Sequence, residues 1–425
     1  MSAKLSRQIA RKAALVAVFL VSQLPIDSGL SQRASTCLQP HSAWAKSFTF
    51  NDVTKYPANP FKVISAAPYP ALTKAFLNDT GGKNDWVGGD AAYSIPLGSK
   101  RTLWLFGDSF IGRVKNNQRL DCTMVHNTIA IEDLGQSGPG KFTYFSGKPQ
   151  PNAKSHDTGF FRCPDKGDYY WPADGFLSNG KLYIFMHVVR ENNKLAVPFQ
   201  FELRTDHMIV IDNPQDNPGK WRYKIQALNT SAKRTLYGVA CRADSKYLYM
   251  FCSNGSVALD LFKHPSVVAR LPLDKVAPFN LNKLEWWSQK WEPTYELPET
   301  LFDDGASEMS VTTVPGLAGY FAFYIPPDKK AIVMRHATAM QGPWSERSVV
   351  YDLSKNTSTI KSTPDLFCYS AKAHPQYLRD AKKNKGEIIL TYCTNSSNFA
   401  KLTSNAQLYV PQAIKVSLAG STSHK

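Results

Sequence analysis

The chain has 425 residues, 43% hydrophobic and 12% aromatic, with a formal net charge of +16. Such a composition supplies a large core and excludes disorder, and its basic excess suits acidic partners such as an anionic polysaccharide or a cell-envelope surface. With no zinc-finger spacing, no RNA-recognition signature and no concentrated basic helix, no nucleic-acid partner is expected.

In chain order, Lys4, Arg7, Arg11 and Lys12 precede the apolar run Ala13 to Val21, and a small-x-small site follows at Ala43-Trp44-Ala45. This is the pattern of a secretory signal, or of an uncleaved N-terminal anchor. Residues 1–45 therefore read as a signal peptide or anchor with linker, and 46–425 as a single domain that is secreted, periplasmic or held at the cell envelope. Residues 1–45 carry five Lys/Arg and one Asp, so the remainder keeps +12 (16 minus 4). Cysteines stand at 37, 122, 163, 241, 252, 368 and 393, six of them beyond residue 45, an even number suited to an oxidising compartment. Cys368 and Cys393 are the best-matched disulfide candidates, ahead of Cys241 and Cys252; buried free thiols are the equal alternative.

Ser65 to Leu77 has room for one or two helical turns. After it come two strand-like runs, Trp86-Val-Gly-Gly-Asp90-Ala-Ala-Tyr-Ser-Ile-Pro and Leu103-Trp-Leu-Phe-Gly-Asp108-Ser-Phe, joined by the turn-like Gly98-Ser-Lys100. A turn centred near Ser99 pairs residue i with residue 198 minus i, which sets Asp90 opposite Asp108 with Cβ atoms roughly 5 Å apart. Opposed like charges weaken a sheet. They serve an enzyme that needs one protonated and one ionised carboxyl, because repulsion and burial drive the two pKa values apart.

The same grammar then recurs. A small-residue strand with one polar group precedes an aromatic, β-branched strand at Gly89-Asp90-Ala-Ala-Tyr-Ser with Thr102-Leu-Trp-Leu-Phe, Trp171-Pro-Ala-Asp174-Gly-Phe with Lys181-Leu-Tyr-Ile-Phe, and Tyr237-Gly-Val-Ala-Cys-Arg with Tyr247-Leu-Tyr-Met-Phe. It returns at Ser307-Glu308-Met-Ser-Val with Tyr320-Phe-Ala-Phe-Tyr, and at Ser370-Ala-Lys-Ala-His374 with Glu387-Ile-Ile-Leu-Thr-Tyr. Starts 63 to 82 residues apart leave space for four short strands each, and such sheets must stack to bury both faces. The expected fold class is all-β, a five-bladed β-propeller. Its first strands line a central funnel, so Asp90, Asp174, Glu308 and His374 are expected to converge there. Trp86 and Trp171, in loop-like positions before their acids, are candidates to stack on sugar faces. His126 and Asn127 are candidate substrate hydrogen-bonding groups. The histidines show no ligand spacing, and neither a metal nor a cofactor is expected.

These segments resemble the five-bladed propeller glycoside hydrolases, and more closely a secreted domain family that includes endo-D-arabinanases. The resemblance rests on Gly89-Asp90-Ala-Ala-Tyr-Ser, Trp104-Leu-Phe-Gly107-Asp108-Ser109-Phe, Trp171-Pro-Ala-Asp174-Gly, Arg335-His-Ala-Thr-Ala-Met-Gln-Gly342-Pro-Trp344-Ser and Ala373-His374-Pro, and spans roughly residues 80 to 412. It implies that the two catalytic carboxylates are Asp90 and Asp108 and that the protein cleaves glycosidic bonds, while the long inserts Lys115 to Lys154 and Asn192 to Lys233 keep the substrate from being carried over with the chemistry. The expected substrate is a polysaccharide or oligosaccharide, furanosidic and arabinan-like, and the expected state a monomer. Asp108 in Gly-Asp-Ser also fits an Asx turn, and Asp90 a loop cap. A non-catalytic carbohydrate-binding propeller and a cell-envelope interaction protein are the alternatives.

Overall fold

The computed structural model describes residues 56–77, 82, 84–135, 138–147, 159–195, 200–228, 235–254, 264–276, 280–293, 298–354, 365–378, 380 and 382–421. Residues 1–45, with the leader expected there, lie outside them. The fold is all-β and propeller-like, and its inner strands coincide with the sequence repeats.

The first sheet orders Tyr93–Pro96, Arg101–Phe106, Thr128–Asp133 and Lys141–Phe145. The second orders Asp168–Ser178, Lys181–Glu191, Phe201–Ile211 and Tyr223–Ala227; the third runs from Thr235–Ala243 through Tyr247–Asn254, Ser266–Pro272 and Glu285–Trp287 to Trp291–Glu292. In the fourth are Ser310–Thr312, Tyr320–Tyr324, Ala331–Ala337 and Ser348–Asp352. The fifth takes Leu366–Ala373, Glu387–Ser396 and Gln412–Gly420, and its outer edge is filled by the N-terminal strand Phe61–Pro68. Pairing is antiparallel throughout these sheets, as consecutive short connections require.

First strands of successive sheets touch, from the first sheet to the fifth. The fifth returns to the first through Ser370 Oγ, which donates to the Ala91 carbonyl at 2.7 Å, and through His374 Nδ1, 2.7 Å from Ser94 Oγ. Five apolar layers fill the gaps between neighbours. Leu105 and Ile184 meet between the first and second sheets, Phe185 and Met250 between the second and third, Phe251 and Tyr324 between the third and fourth, Met334 and Leu390 between the fourth and fifth, Trp104 and Ile389 between the fifth and first. Because each sheet is covered on both faces, its second strand reads as a continuous apolar run. Each large side chain buried this way contributes about 1.5–3 kcal/mol. Gly238 shows why first strands are small: its φ is +66°, and a Cβ there would lie 2.3 Å from the Phe185 ring.

Among the described residues, two short α-helices accompany the sheets, Pro70–Phe76 and Phe399–Ser404. The helix Pro70–Phe76 realises the turns expected before Leu77, and buries Leu72 and Phe76 against Trp104 and Phe106. No helix among the described residues is long and apolar enough to cross a membrane.

The expected disulfides do not form; Cys122, Cys163, Cys241, Cys252, Cys368 and Cys393 are free thiols. In the fifth sheet Cys368 pairs with Thr394 and Tyr369 with Cys393, so a one-residue difference in register turns the two sulfurs to opposite faces. Cys241 pairs with Met250, leaving Cys252 diagonal to it.

Candidate functional site

The first hairpin keeps the expected register: Tyr93 pairs with Leu105 and Pro96 with Thr102, each pair summing to 198. Past Tyr93 the ladder breaks at Ala91 and Ala92 and resumes as a small sheet in which Gly89 pairs with Ser109. Asp90 and Asp108 sit across that break. The Asp90 N–H donates to the Asp108 carbonyl at 3.3 Å, and the Gly107 N–H to the Asp90 carbonyl at 3.2 Å.

Both aspartates are buried, Asp90 at 3% exposure and Asp108 at 1%. Asp90 Oδ2 accepts from the phenols of Tyr369 at 2.7 Å and Tyr409 at 2.8 Å. Burial first, then the charges of Asp108 and Glu308, push its carboxyl well above the usual aspartate range, against the pull of the two phenols. Gly107 makes room for this carboxyl, since a Cβ there would lie 2.4 Å from Asp90 Oδ1. Asp108 Oδ1 lies 2.9 Å from His126 Nδ1 and accepts from Trp171 Nε1 at 3.2 Å. Its Oδ2 has no hydrogen-bond partner among the described residues.

Asp90, Gly107, Trp171 and Glu308 line one cavity together with His187 and His264, and Phe201, Leu203 and Leu236 form its apolar wall. Asp108 sits behind this lining and touches it through Trp171. Glu308 accepts from Ser370 Oγ at 3.0 Å and from Lys372 Nζ at 3.4 Å. Lys372 is buried over the Tyr93 ring, its ammonium 4.1 Å from the centroid, and burial lowers its pKa while Glu308 counters. Asp174, on the first strand of the second sheet, accepts from the N–H groups of Gly175 and Cys241, both at 2.8 Å. Burial lifts its pKa to about 6.

The funnel expectation is corrected at four residues. Trp86 is only 2% exposed, stacked 4.8 Å from Tyr144, with Nε1 donating to Thr128; it is core and presents no face to a sugar. His374 is fully buried against Trp104, its two nitrogens each 2.7 Å from a hydroxyl, Ser94 and Thr391, and burial followed by the Lys372 charge lowers its pKa to about 3. Lys372, two residues earlier, occupies the axial place instead. Asn127 is spent on the backbone of Phe161 and Tyr170. His126 stacks 3.7 Å from Tyr169 and serves Asp108, not the cavity.

Sequence reasoning missed Tyr369, Tyr409, Lys372 and the pair His187–Asp206, whose Nδ1 and Oδ1 lie 2.6 Å apart. A lysine inside a small-residue inner strand was the one available signal; the tyrosines arrive from the far end of the chain. Tyr409 is placed by Arg119, whose buried guanidinium donates to the carbonyls of Val87, Leu402, Asn405, Ala406 and Leu408. Backbone strain gathers here as well: Ala91, Ala92, Ser370 and Tyr409 have φ between +56° and +64°. Non-glycine residues pay roughly 1–3 kcal/mol for such conformations, which persist where the surroundings enforce them.

Residues 75–418 match the model of a family described as a domain of unknown function, DUF5005. The chain belongs to that family. No curated protein matches it. Among solved structures, a protein of Bacteroides ovatus ATCC 8483, provisionally named a hydrolase, aligns at 17% identity and TM-score 0.61, over 83% of this chain and 90% of its own. At that identity the DUF5005 chain shares its fold. A β-xylosidase, RS223, aligns at 14% identity and TM-score 0.45 over 80% of this chain and 96% of its own. An α-L-arabinofuranosidase from Podospora anserina, solved with cellotriose, aligns at 10% and 0.43 over 81% and 93%.

Proposed function

We propose that the protein is a glycoside hydrolase on a five-bladed β-propeller, cleaving a furanosidic, arabinan-like polysaccharide with Asp90 and Asp108 as its acidic pair. The observation that carries this reading is the environment of Asp90. It is a cavity-wall carboxyl, buried and faced by two further carboxylates, a setting that keeps a proton on an acid at neutral pH against the pull of the two phenols that position it. Glycosidic cleavage asks for such a group to protonate the leaving oxygen while a second carboxylate activates water or attacks the sugar carbon. Asp90 is the proton donor. Asp108 is the second carboxyl of the pair: its Oδ2 has no hydrogen-bond partner among the described residues, and a buried polar atom left so asks for a functional explanation. Trp171 offers a ring to the sugar beside it, and Glu308, held by the buried Lys372, binds hydroxyls across the cavity.

The test is release of reducing ends from furanose and pyranose polysaccharides by the wild type, Asp90→Asn, Asp108→Asn and Glu308→Gln. The reading expects release by the wild type, a kcat loss of about 10²–10⁴ in both aspartate variants, and chiefly a raised KM for Glu308→Gln. Glycan binding with no new reducing ends in the wild type would make the domain a lectin-like propeller. Activity in Asp108→Asn beside its loss in Glu308→Gln would transfer the second role to Glu308.

A further inference from the structure

Beside the second sheet, away from the acidic cavity, Cys163 and Asp165 of the segment ahead of Asp168–Ser178 meet His207 of Phe201–Ile211, and the three donor atoms all lie within 4.8 Å of one another. We propose that these three residues bind a divalent transition-metal ion, zinc by the character of the donors. A thiolate, an imidazole and a carboxylate form the mixed S, N, O set that zinc accepts. His207 Nε2 lies 3.8 Å from Asp165 Oδ2, and Cys163 Sγ 3.9 Å from the same oxygen. Around tetrahedral zinc, with bonds of about 2.0–2.3 Å, neighbouring ligand atoms stand roughly 3.3–3.6 Å apart. The two edges to Asp165 need to close by only a few tenths of an ångström, the Cys163–His207 edge, within 4.8 Å, by up to about 1.3 Å, and Asp165 is exposed enough to move.

The surroundings orient the ligands. His207 Nδ1 lies 2.6 Å from the Tyr170 phenol, so with that nitrogen protonated its N–H donates to the phenol oxygen and Nε2 keeps its lone pair toward Asp165. The same phenol is close enough to the Cys163 thiol to interact with it electrostatically. One tyrosine thus fixes the tautomer of the histidine and supports the sulfur, the outer-shell arrangement that metal sites use. An open groove lined by Thr205, Tyr223 and Ile225 leads to Asp165 and His207 and leaves room for water as a fourth ligand.

The ion would tie the segment ahead of the strand Asp168–Ser178 to the strand Phe201–Ile211. The first of these strands carries Trp171 into the acidic cavity, while Tyr170 and His207 lie in neighbouring rows whose side chains take the other face of the sheet. Its role is therefore a clip, and glycoside hydrolysis would not pass through it. Binding exchanges the Cys163 S–H for an S–Zn bond and releases one proton to solvent for each ion held.

The experiment uses the full chain, reduced and then freed of chelator and reductant, with Zn²⁺ followed by calorimetry and Co²⁺ by absorbance. The expected result is one ion per chain, a thermal midpoint that rises with zinc concentration, and a thiolate-to-cobalt charge-transfer band. Cys163→Ser should abolish the band and weaken zinc by about 100-fold or more, and Tyr170→Phe by roughly 10–100-fold. Asp165→Asn, at an exposed position, keeps the test independent of whether the buried His207→Gln folds, and Cys122→Ser should bind as the wild type does. Absence of stoichiometric binding, or equal binding by folded Cys163→Ser and Asp165→Asn, overturns the proposal.

Discussion

Two substitutions at Asp90 separate its proton from its shape. Asp90→Asn keeps a carbonyl oxygen for the phenols of Tyr369 and Tyr409 and removes only the ability to ionise. If the native carboxyl is already protonated at pH 7, the amide should stand within about 1 kcal/mol of the wild type. Asp90→Ala leaves two buried phenols without an acceptor, at ~1–3 kcal/mol each, and should cost about 2–6 kcal/mol. The pH dependence follows from the direction of the shift. A carboxyl whose folded pKa is raised contributes stability that is full below the unfolded aspartate value and lost as pH rises through the folded value, so Asp90→Asn should gain on the wild type as pH increases. Urea unfolding of the three proteins between pH 4 and pH 9, beside reducing-end assays, reads both effects. Equal destabilisation by Asn and Ala at pH 7, with an Asn-minus-wild-type difference flat in pH, would show that Asp90 is ionised and refute the reasoning.

Asp174, with its pKa lifted to about 6, behaves alike on a smaller scale: the displacement is worth at most ~3 kcal/mol, so Asp174→Asn should gain on the wild type between pH 4 and pH 7 in thermal melts. Arg119→Met removes the donor to five carbonyls and should destabilise by at least ~3 kcal/mol in urea, with activity lost in proportion as Tyr409 leaves Asp90. Trp171→Phe keeps a ring in the cavity but deletes the Nε1 donor to Asp108; it should lower kcat more than it raises KM and leave the unfolding midpoint nearly unchanged.

The local parts of this structure were legible because they follow from chain geometry. A two-fold side-chain period and one turn centre fixed the register that opposes Asp90 to Asp108, and the alternation of small and aromatic strands marked the inner pair of every sheet. What escaped depends on which gap between sheets a side chain enters. Trp86 and His374 both precede or follow a first strand, and nothing in the flanking residues says that Trp86 turns to Tyr144 or that His374 finds Trp104, Ser94 and Thr391. The cysteines show how little separates success from failure: a centre displaced by half a residue in the Leu366–Ala373 hairpin turns a disulfide into two thiols on opposite faces.

The acidic site itself is tertiary in a stronger sense. Asp90 and Asp108 are neighbours in the hairpin, yet what distinguishes their environments comes from elsewhere: two phenols from the fifth sheet and the connection between its strands Glu387–Ser396 and Gln412–Gly420, an imidazole and an indole on the other flank. The left-handed backbone at Ala91 and Ala92 carries the chain across the break in the ladder beside Asp90, and the left-handed Ser370 and Tyr409 accompany the contacts that hold it there. A fold selected for stability alone would relax such positions to glycine or to a regular bulge. Their concentration around a single carboxyl, braced by the buried Arg119, is what the proposed proton donor would need to be held in place before a substrate arrives.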